Sequence, residues 1–409
     1  MNTIEIHPYV GPRTFLKEER HLFFGREREA RDLLALVVSK QLVLFYAQSG
    51  AGKSSLINTC LIPDLEKKDF QVLPVGRVSG DLATSLKADN IFIYNLFHHL
   101  VQHETEPDAL AGVASLSDFL AGLNADEQGY FYDISPVDNV DEEDEDSPPQ
   151  RRILIIDQFE ELFSTHPDAW KKREDFFRQV AQAMQDDPYL WVLLVMREDY
   201  IAALDPYAHL LPGGVRTRYY MQRLCSDAAL KAVKKPVESC RPFADGVAEK
   251  LVDDLCSIKV QRLDGTPDNQ PGQYVEPVQL QVVCYSLWEN LSEGVQITKK
   301  DLQDVGNVNQ SLGRYYAARV TAVADLQGVS ERNIRQWFGK KLISPGGIRT
   351  MVLYEPGTPC EGLDNEIIQA LQSDLVRAEK RGRAIWYELT HDRLIEPILE
   401  NNFATVHLE

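Results

Sequence analysis

Three apolar runs punctuate the first half of the chain, at residues 41–46 (QLVLFY, apolar after its first residue), 153–156 (ILII) and 190–196 (LWVLLVM). A strand covered on both faces reads this way, whereas one with a wet face alternates. After the first run come Ala47-Gln-Ser-Gly-Ala-Gly-Lys-Ser-Ser55 and then Leu56, Ile57, Cys60 and Leu61 at helical spacing, which predicts strand, glycine loop and helix. The pattern adds a strand at 70–78, an amphipathic helix at 91–101, a helix at 169–185 and a fifth strand at 215–221. Strands alternating with helices predict a doubly wound parallel sheet, so residues 35–225 are read as one α/β domain. Residues 124–150 interrupt it, with six acidic residues at 141–146 and Pro148-Pro149 behind them, and are expected to form a solvated insertion loop.

Beyond residue 225 the periodicity is helical, at 227–235, 247–258 and 278–291, with a Gly/Pro-rich break at 264–272. The tail changes again: helices at 330–337 and around 366–370 precede residues 375–389, which alternate about Gly382 as a hairpin would. Helices followed by a hairpin suggest a winged helix. The expected organisation is therefore an N-terminal segment at 1–34, the α/β domain at 35–225, a helical domain at 226–325 and a winged-helix domain at 326–409. No repeat of 20 to 50 residues is visible, which sets aside solenoids and propellers.

Charge narrows the function classes. The 409 residues carry a formal net charge of −19, a field that opposes coating of nucleic acid or anionic lipid. The tail from Glu331 to Glu400, with ten basic against eleven acidic residues, is milder but lacks a basic footprint. Six cysteines without a CxxC pair read as reduced, mostly buried small residues. No window of 18 apolar residues and no basic-then-apolar leader occurs, so the expectation is a cytoplasmic protein without a membrane partner.

Candidate chemistry gathers where the apolar runs end. Gln48-Ser-Gly-Ala-Gly-Lys-Ser54 fits the phosphate-binding loop GxxxxGK[ST] except that Ala47 stands at the first glycine. Amides of Ser49, Gly50, Ala51, Gly52 and Ser55 can wrap a β-phosphate, Lys53 can neutralise β/γ oxygens, and Ser54 can supply a Mg²⁺ ligand. Asp157, ending the second run, is placed to hold the same ion from the Walker B side. Glu160 and Glu161 follow as candidate general bases that would point to different sides of a helix, with Glu160 slightly preferred. Gln158 occupies the position directly after the acid, which predicts slow hydrolysis. Arg197, ending the third run, is a candidate γ-phosphate sensor, with an ion pair to Glu198 or Asp199 as the competing reading; Arg216 and Arg218 are weaker candidates. His98, His99 and His103 include an i, i+4 pair but no third ligand, so an ordinary helix surface is expected.

An ordered set of segments adds a resemblance. His7-Pro-Tyr-Val-Gly-Pro-Arg-Thr-Phe15, Leu22-Phe-Phe-Gly-Arg-Glu27, the glycine loop, Asp157-Gln-Phe-Glu-Glu-Leu-Phe163, Met196-Arg-Glu-Asp-Tyr200 and Tyr387-Glu-Leu-Thr-His-Asp-Arg-Leu394 together resemble the bacterial novel STAND NTPases. These are P-loop NTPases of the ASCE/AAA-like class related to apoptotic and NLR switches. The resemblance implies that Phe24, Gly25 and Arg26 lie over adenine and ribose, that Pro236 closes on the base, and that His391 touches the β-phosphate of ADP. It also implies ATP/ADP and Mg²⁺ as cofactors, and a switch that opens and self-associates, with sensor and effector on separate or missing polypeptides. A role in antiphage defence follows from it alone. The residues leave two other readings open: an ATP-dependent winged-helix DNA-binding protein, for which Lys380-Arg-Gly-Arg383 is the best local argument, and an AAA+ type motor.

Overall fold

The computed structural model describes residues 7–80, 88–102, 105, 107–133, 150–261, 267–291, 294–305, 308–344, 346–347, 350, 352–354, 362–372, 375–381, 384–390 and 394–406. The chain divides into two compact units, one formed by Arg28–Ser49 and Lys53–Gln222, the other by Met1–Glu27, Gly50–Gly52 and Arg223–Glu409.

The first unit holds the sheet. Strands β1 (Leu42–Ala47), β2 (Phe70–Val72), β5 (Arg151–Ile156), β6 (Leu190–Arg197) and β7 (Arg218–Met221) are all parallel, in the order β2-β5-β6-β1-β7. The three central strands are the three apolar runs, buried along nearly their whole length, as expected of a sheet packed on both faces. Helix Trp170–Asp186 covers it with Phe176, Phe177, Val180 and Met184. Helix Ile91–Leu100 starts at Asn90, whose side chain caps Phe92 N at 3.1 Å and donates to Asp175 at 2.8 Å. One continuous apolar core joins these helices to the sheet.

Three expectations for this unit change. The strand predicted at 70–78 keeps regular pairing only to Val72: Leu73 N still donates to Ile153 O at 3.0 Å, but past Pro74 the chain slips by one residue, with Gly76 N donating to Ile155 O at 2.8 Å in a bridge to Ile156. The fifth strand starts at Arg218, after a tight turn at Pro212–Val215, and not at 215. The stretch from 124 does not begin as structureless loop: β3 (Leu123–Asp126) and β4 (Gly129–Tyr132) form a hairpin whose turn is closed by Asp126 accepting from Gln128 N and Gly129 N. The acidic residues 141–146 lie outside the described residues.

In the second unit, helices Ser226–Lys234, Val247–Cys256, Pro277–Glu289 and Val308–Gln327 pack on a single core that also takes in Tyr9, whose hydroxyl donates to Val233 O at 2.6 Å. The helix predicted at 247–258 ends at Cys256, and Ser257–Gln261 (β9) pairs with Pro267–Pro271 (β10) inside the supposed Gly/Pro break. Two short strands, Leu224–Cys225 (β8) and Tyr274–Val275 (β11), also pair. In the tail, Val376–Arg381 (β13) and Ala384–Leu389 (β14) form the anticipated hairpin, and Val352–Tyr354 (β12), unanticipated, completes a three-stranded antiparallel sheet. Helices Glu331–Trp337, Asn365–Ala370 and Ile395–Val406 accompany it.

The cysteines are less uniformly buried than expected. Cys256 and Cys284 are buried, Cys60 is half-buried, Cys225 and Cys240 are exposed, and all five are free thiols; Cys360 lies outside the described residues. No helix among the described residues is long and apolar enough to cross a membrane.

Candidate functional site

Parallel strands with a shared register bring their ends to one edge. Ala47 of β1 lies opposite Arg197 of β6, and Ile156 of β5 lies opposite Leu194, so the glycine loop, Asp157 and Arg197 emerge together at the carboxyl edge of the sheet. Ligands bind at such an edge in open α/β sheets. The loop turns through two left-handed glycines, Gly50 at φ 73° and Gly52 at φ 92°, before a helix begins at Lys53. A Cβ at Gly52 would meet nothing within 4 Å, so the backbone angle alone selects glycine there. That helix runs from Lys53–Leu56 through a π turn at Ile57–Leu61 to Ile62–Glu66, presenting its N-terminal amides beside the loop.

Lys53 Nζ folds back over the loop, 3.4 Å from Ala47 O and 3.3 Å from Gln48 O. Burial holds its pKa below the ordinary lysine value, while Glu160 and Asp157 pull the other way. Ser54 Oγ donates to Asp157 Oδ2 at 2.6 Å, and Asp157 is buried at the end of β5. A hydroxyl and a carboxylate, both hard oxygen donors, meeting beside a phosphate-binding loop suit Mg²⁺. The residues present therefore fit the ion that the sequence implies. Ser55 is buried within the first helical turn.

Residues after Asp157 turn sharply. Gln158 sits at φ 52°, a conformation that costs a glutamine roughly 1–2 kcal/mol. Its side-chain amide lies between Glu161 Oε1 and Arg77 Nη2, and the orientation assigned from these neighbours has the amide donating to Glu161 Oε1 at 2.8 Å and accepting from Arg77 Nη2 at 3.2 Å. Glu160 and Glu161 diverge. Glu160 Oε2 accepts from Arg197 N at 3.1 Å, and burial raises its pKa, with Lys53 as the main opposing charge. Glu161 Oε2 accepts from Ser79 Oγ at 2.5 Å. Burial pushes Glu161 up to about 7 against the pull of Ser79 and Arg77.

Arg197 takes the partner that competed with phosphate sensing: its guanidinium meets Asp199 Oδ2 at 2.7 and 3.1 Å and lies over the Tyr200 ring. Any anion reaching Arg197 must compete with Asp199. Arg218 pairs with Asp205 at 3.0 Å.

In the other unit, Arg26 is buried and donates to Ala51 O at 3.1 Å. Gly25, at φ 87°, passes so close to helix Ser226–Lys234 that a Cβ would stand 2.3 Å from Ala228 O. Phe24 precedes them, half-buried, and Pro236 sits half-buried in the turn Lys235–Val237 that ends the same helix. His391 and its neighbours Asp392 and Arg393 lie outside the described residues, as does His103. No cluster of metal-binding side chains occurs among the described residues.

Arg77 and Ser79 escaped the reading of the sequence. A signal was present: Arg77 and Ser79 are polar residues at the end of the strand predicted at 70–78 and just after it, the same edge as those after the other strands. Their partners, 82 residues on in the case of Ser79 and Glu161, follow the strand Arg151–Ile156, whose pairing with Phe70–Val72 the sequence does not show.

Comparison with known proteins gives one family: the family described as Novel STAND NTPase 1 matches residues 8–397. No curated protein matches the chain. Similar solved structures include the Walker-type ATPase PABY2304 of Pyrococcus abyssi, at TM-score 0.45 and 14% identity, covering 94% of this chain and 98% of that one. The Aeropyrum pernix ORC2 protein in ADPNP-ADP complexes follows at TM-score 0.45 and 15% identity, covering 93% of this chain and 95% of that one. The Aeropyrum pernix ORC1 protein in complex with DNA is similar at TM-score 0.42 and 11% identity, covering 98% of each chain.

Proposed function

The chain belongs to the novel STAND NTPase 1 family, and from that premise we propose that it is a nucleotide-operated switch in which bound ADP or ATP sets whether the molecule is closed or open. The observation that carries the reading is the meeting of Lys53, Ser54 and Asp157 at the end of the glycine loop, with Ser54 and Asp157 2.6 Å apart. Loop amides and Lys53 hold the phosphates; Ser54 and Asp157 hold Mg²⁺, which when bound neutralises charge between the β- and γ-phosphates.

Glu160 is the general base in this proposal. Its carboxylate is the one that interacts with Lys53, and burial keeps its affinity for a proton high. Phe24, Gly25, Arg26 and Pro236 contact the nucleoside. The three-stranded sheet with its helices is read as a winged helix whose His391 donates to the β-phosphate of ADP and locks the resting form. Hydrolysis is slow because Gln158 stands directly after Asp157 and turns its amide toward Arg77 and Glu161. Exchange or hydrolysis then controls opening and self-association through a two-state equilibrium, in cytoplasmic signalling of the antiphage kind.

The test is to purify the protein without added nucleotide, denature it, identify the released nucleotide by chromatography and measure the native mass. One ADP per monomer is the expected result. An empty site in a ring-sized or DNA-bound species would overturn the switch in favour of a motor or an initiator.

A further inference from the structure

Four consecutive residues after the Gly76 bridge, 77–80, are held by side chains from elsewhere in the same unit. Arg77 donates to the Gln158 amide, and Ser79 to Glu161. Val78 O and Gly80 O each accept from Asn95 Nδ2 at 3.1 Å, and Gly80 O also meets His166 Nε2 at 2.7 Å. Gln158 and His166, which bracket the turn after Asp157, are both non-glycine residues in the left-handed region, at φ 52° and 48°. Two strained residues aimed at one short segment indicate a geometry the surrounding fold enforces.

Glu161 is the hinge of this arrangement. Both of its carboxylate oxygens accept, Oε1 from Gln158 and Oε2 from Ser79, and its cationic neighbour is Arg77. The charges around Lys53 are Glu160, Asp157, Arg197 and Asp199, with Glu161 not among them. A general base needs an oxygen turned to the reacting water, and Glu161 has both turned to protein donors. One helical turn cannot point adjacent side chains the same way, so fixing Glu161 on one side directs Glu160 to the other.

We propose that Glu161 is a positioning residue: by gripping Ser79 and Gln158 it clamps residues 77–80 to the turn after Asp157 and so aims Glu160 at the phosphate side of the loop. The inference rests on the nucleotide-site reading above and assigns separate roles to two carboxylates between which the sequence preferred Glu160 only slightly.

The experiment uses the full chain with Glu161→Gln, Ser79→Ala, Ser79→Thr and Glu160→Gln, measuring ADP affinity, kcat and KM for ATP, and amide hydrogen exchange at residues 76–80. Glu160→Gln is expected to lose turnover by about 100-fold or more. Glu161→Gln and Ser79→Ala are expected to lower kcat roughly tenfold, about 1.4 kcal/mol of barrier, with ADP affinity and KM nearly unchanged, and to speed exchange at 76–80 by a similar factor. Ser79→Thr, which keeps the hydroxyl, restores both. The proposal is overturned by unaltered exchange and turnover in Glu161→Gln and Ser79→Ala, or by Glu161→Gln losing turnover as fully as Glu160→Gln while Ser79→Ala behaves as the parent. Should the parent bind no nucleotide, the P-loop reading fails, and the exchange data still decide whether the clamp exists.

Discussion

Replacing Lys53 with methionine separates the energy of phosphate recognition from that of folding. In the protein as described, Nζ lies 3.3 and 3.4 Å from two loop carbonyls, long contacts that contribute at most about 1 kcal/mol together. Burial already disfavours its charge, and methionine keeps the length and the apolar packing of the stem. Stability should therefore fall by about 1 kcal/mol or less, a Tm change of about 2–4 °C for a domain of roughly this size. Binding should fall much further. A charge-assisted bond to a phosphate oxygen contributes about 1.5–3 kcal/mol, which is roughly 10- to 150-fold in Kd. Asp157 and Glu160 are the carboxylates that Lys53 faces, so its loss also leaves anionic phosphates against uncompensated acids, which pushes the effect to the upper end. Titration of nucleotide-free protein with a fluorescent ADP analogue in Mg²⁺, beside calorimetric melting, measures both quantities. A Kd within about threefold of the parent, under about 0.7 kcal/mol, would refute the assignment of the loop. A Tm drop beyond about 8 °C would show instead that Lys53 holds the fold.

Other consequences follow from the same geometry. Ser54→Ala removes the hydroxyl that meets Asp157 at 2.6 Å, and should weaken Mg²⁺-dependent nucleotide binding by about tenfold while Mg²⁺-free ADP binding stays near the parent value, as titrations with and without chelator will read. Glu161 has a folded pKa of about 7 against an ordinary value of 4.5, so the folded state binds the extra proton and stability falls as pH rises from about 4.5 to 7. Glu161→Gln should flatten that part of the Tm–pH curve, and an unchanged slope would place the titration elsewhere. Gly25→Ala brings a Cβ within 2.3 Å of Ala228 O at a left-handed φ, and should cost about 2 kcal/mol or more, seen as a lowered unfolding midpoint in urea.

The central sheet was legible because its signals are local. Runs such as 153–156 and 190–196 are apolar at every position, which only a strand covered on both faces requires, and the loop from Gln48 to Ser54 needs just its own glycines to turn. Edges and irregular pieces were less legible. The second strand slipped its register by one residue between Leu73 and Gly76, the chain at 123–132 made a hairpin, and β12 joined the terminal hairpin from more than 20 residues away. Short strands carry too few positions for a period to show, and their pairing is set by distant neighbours.

At the site the same division holds. Sequence alone placed Lys53 and Ser54 at the start of the helix after the glycine loop and Asp157 at the end of an apolar strand, because spacing ties each to its element. Tertiary structure decided what each one faces. Ser54 meets Asp157 from 103 residues away, Arg197 turns its guanidinium to Asp199, and Glu160 and Glu161, neighbours in the chain, divide between Lys53 and Ser79. The chain order records which groups are present; only strand register and burial set their distances, and distance and burial govern both hydrogen bonding and proton affinity.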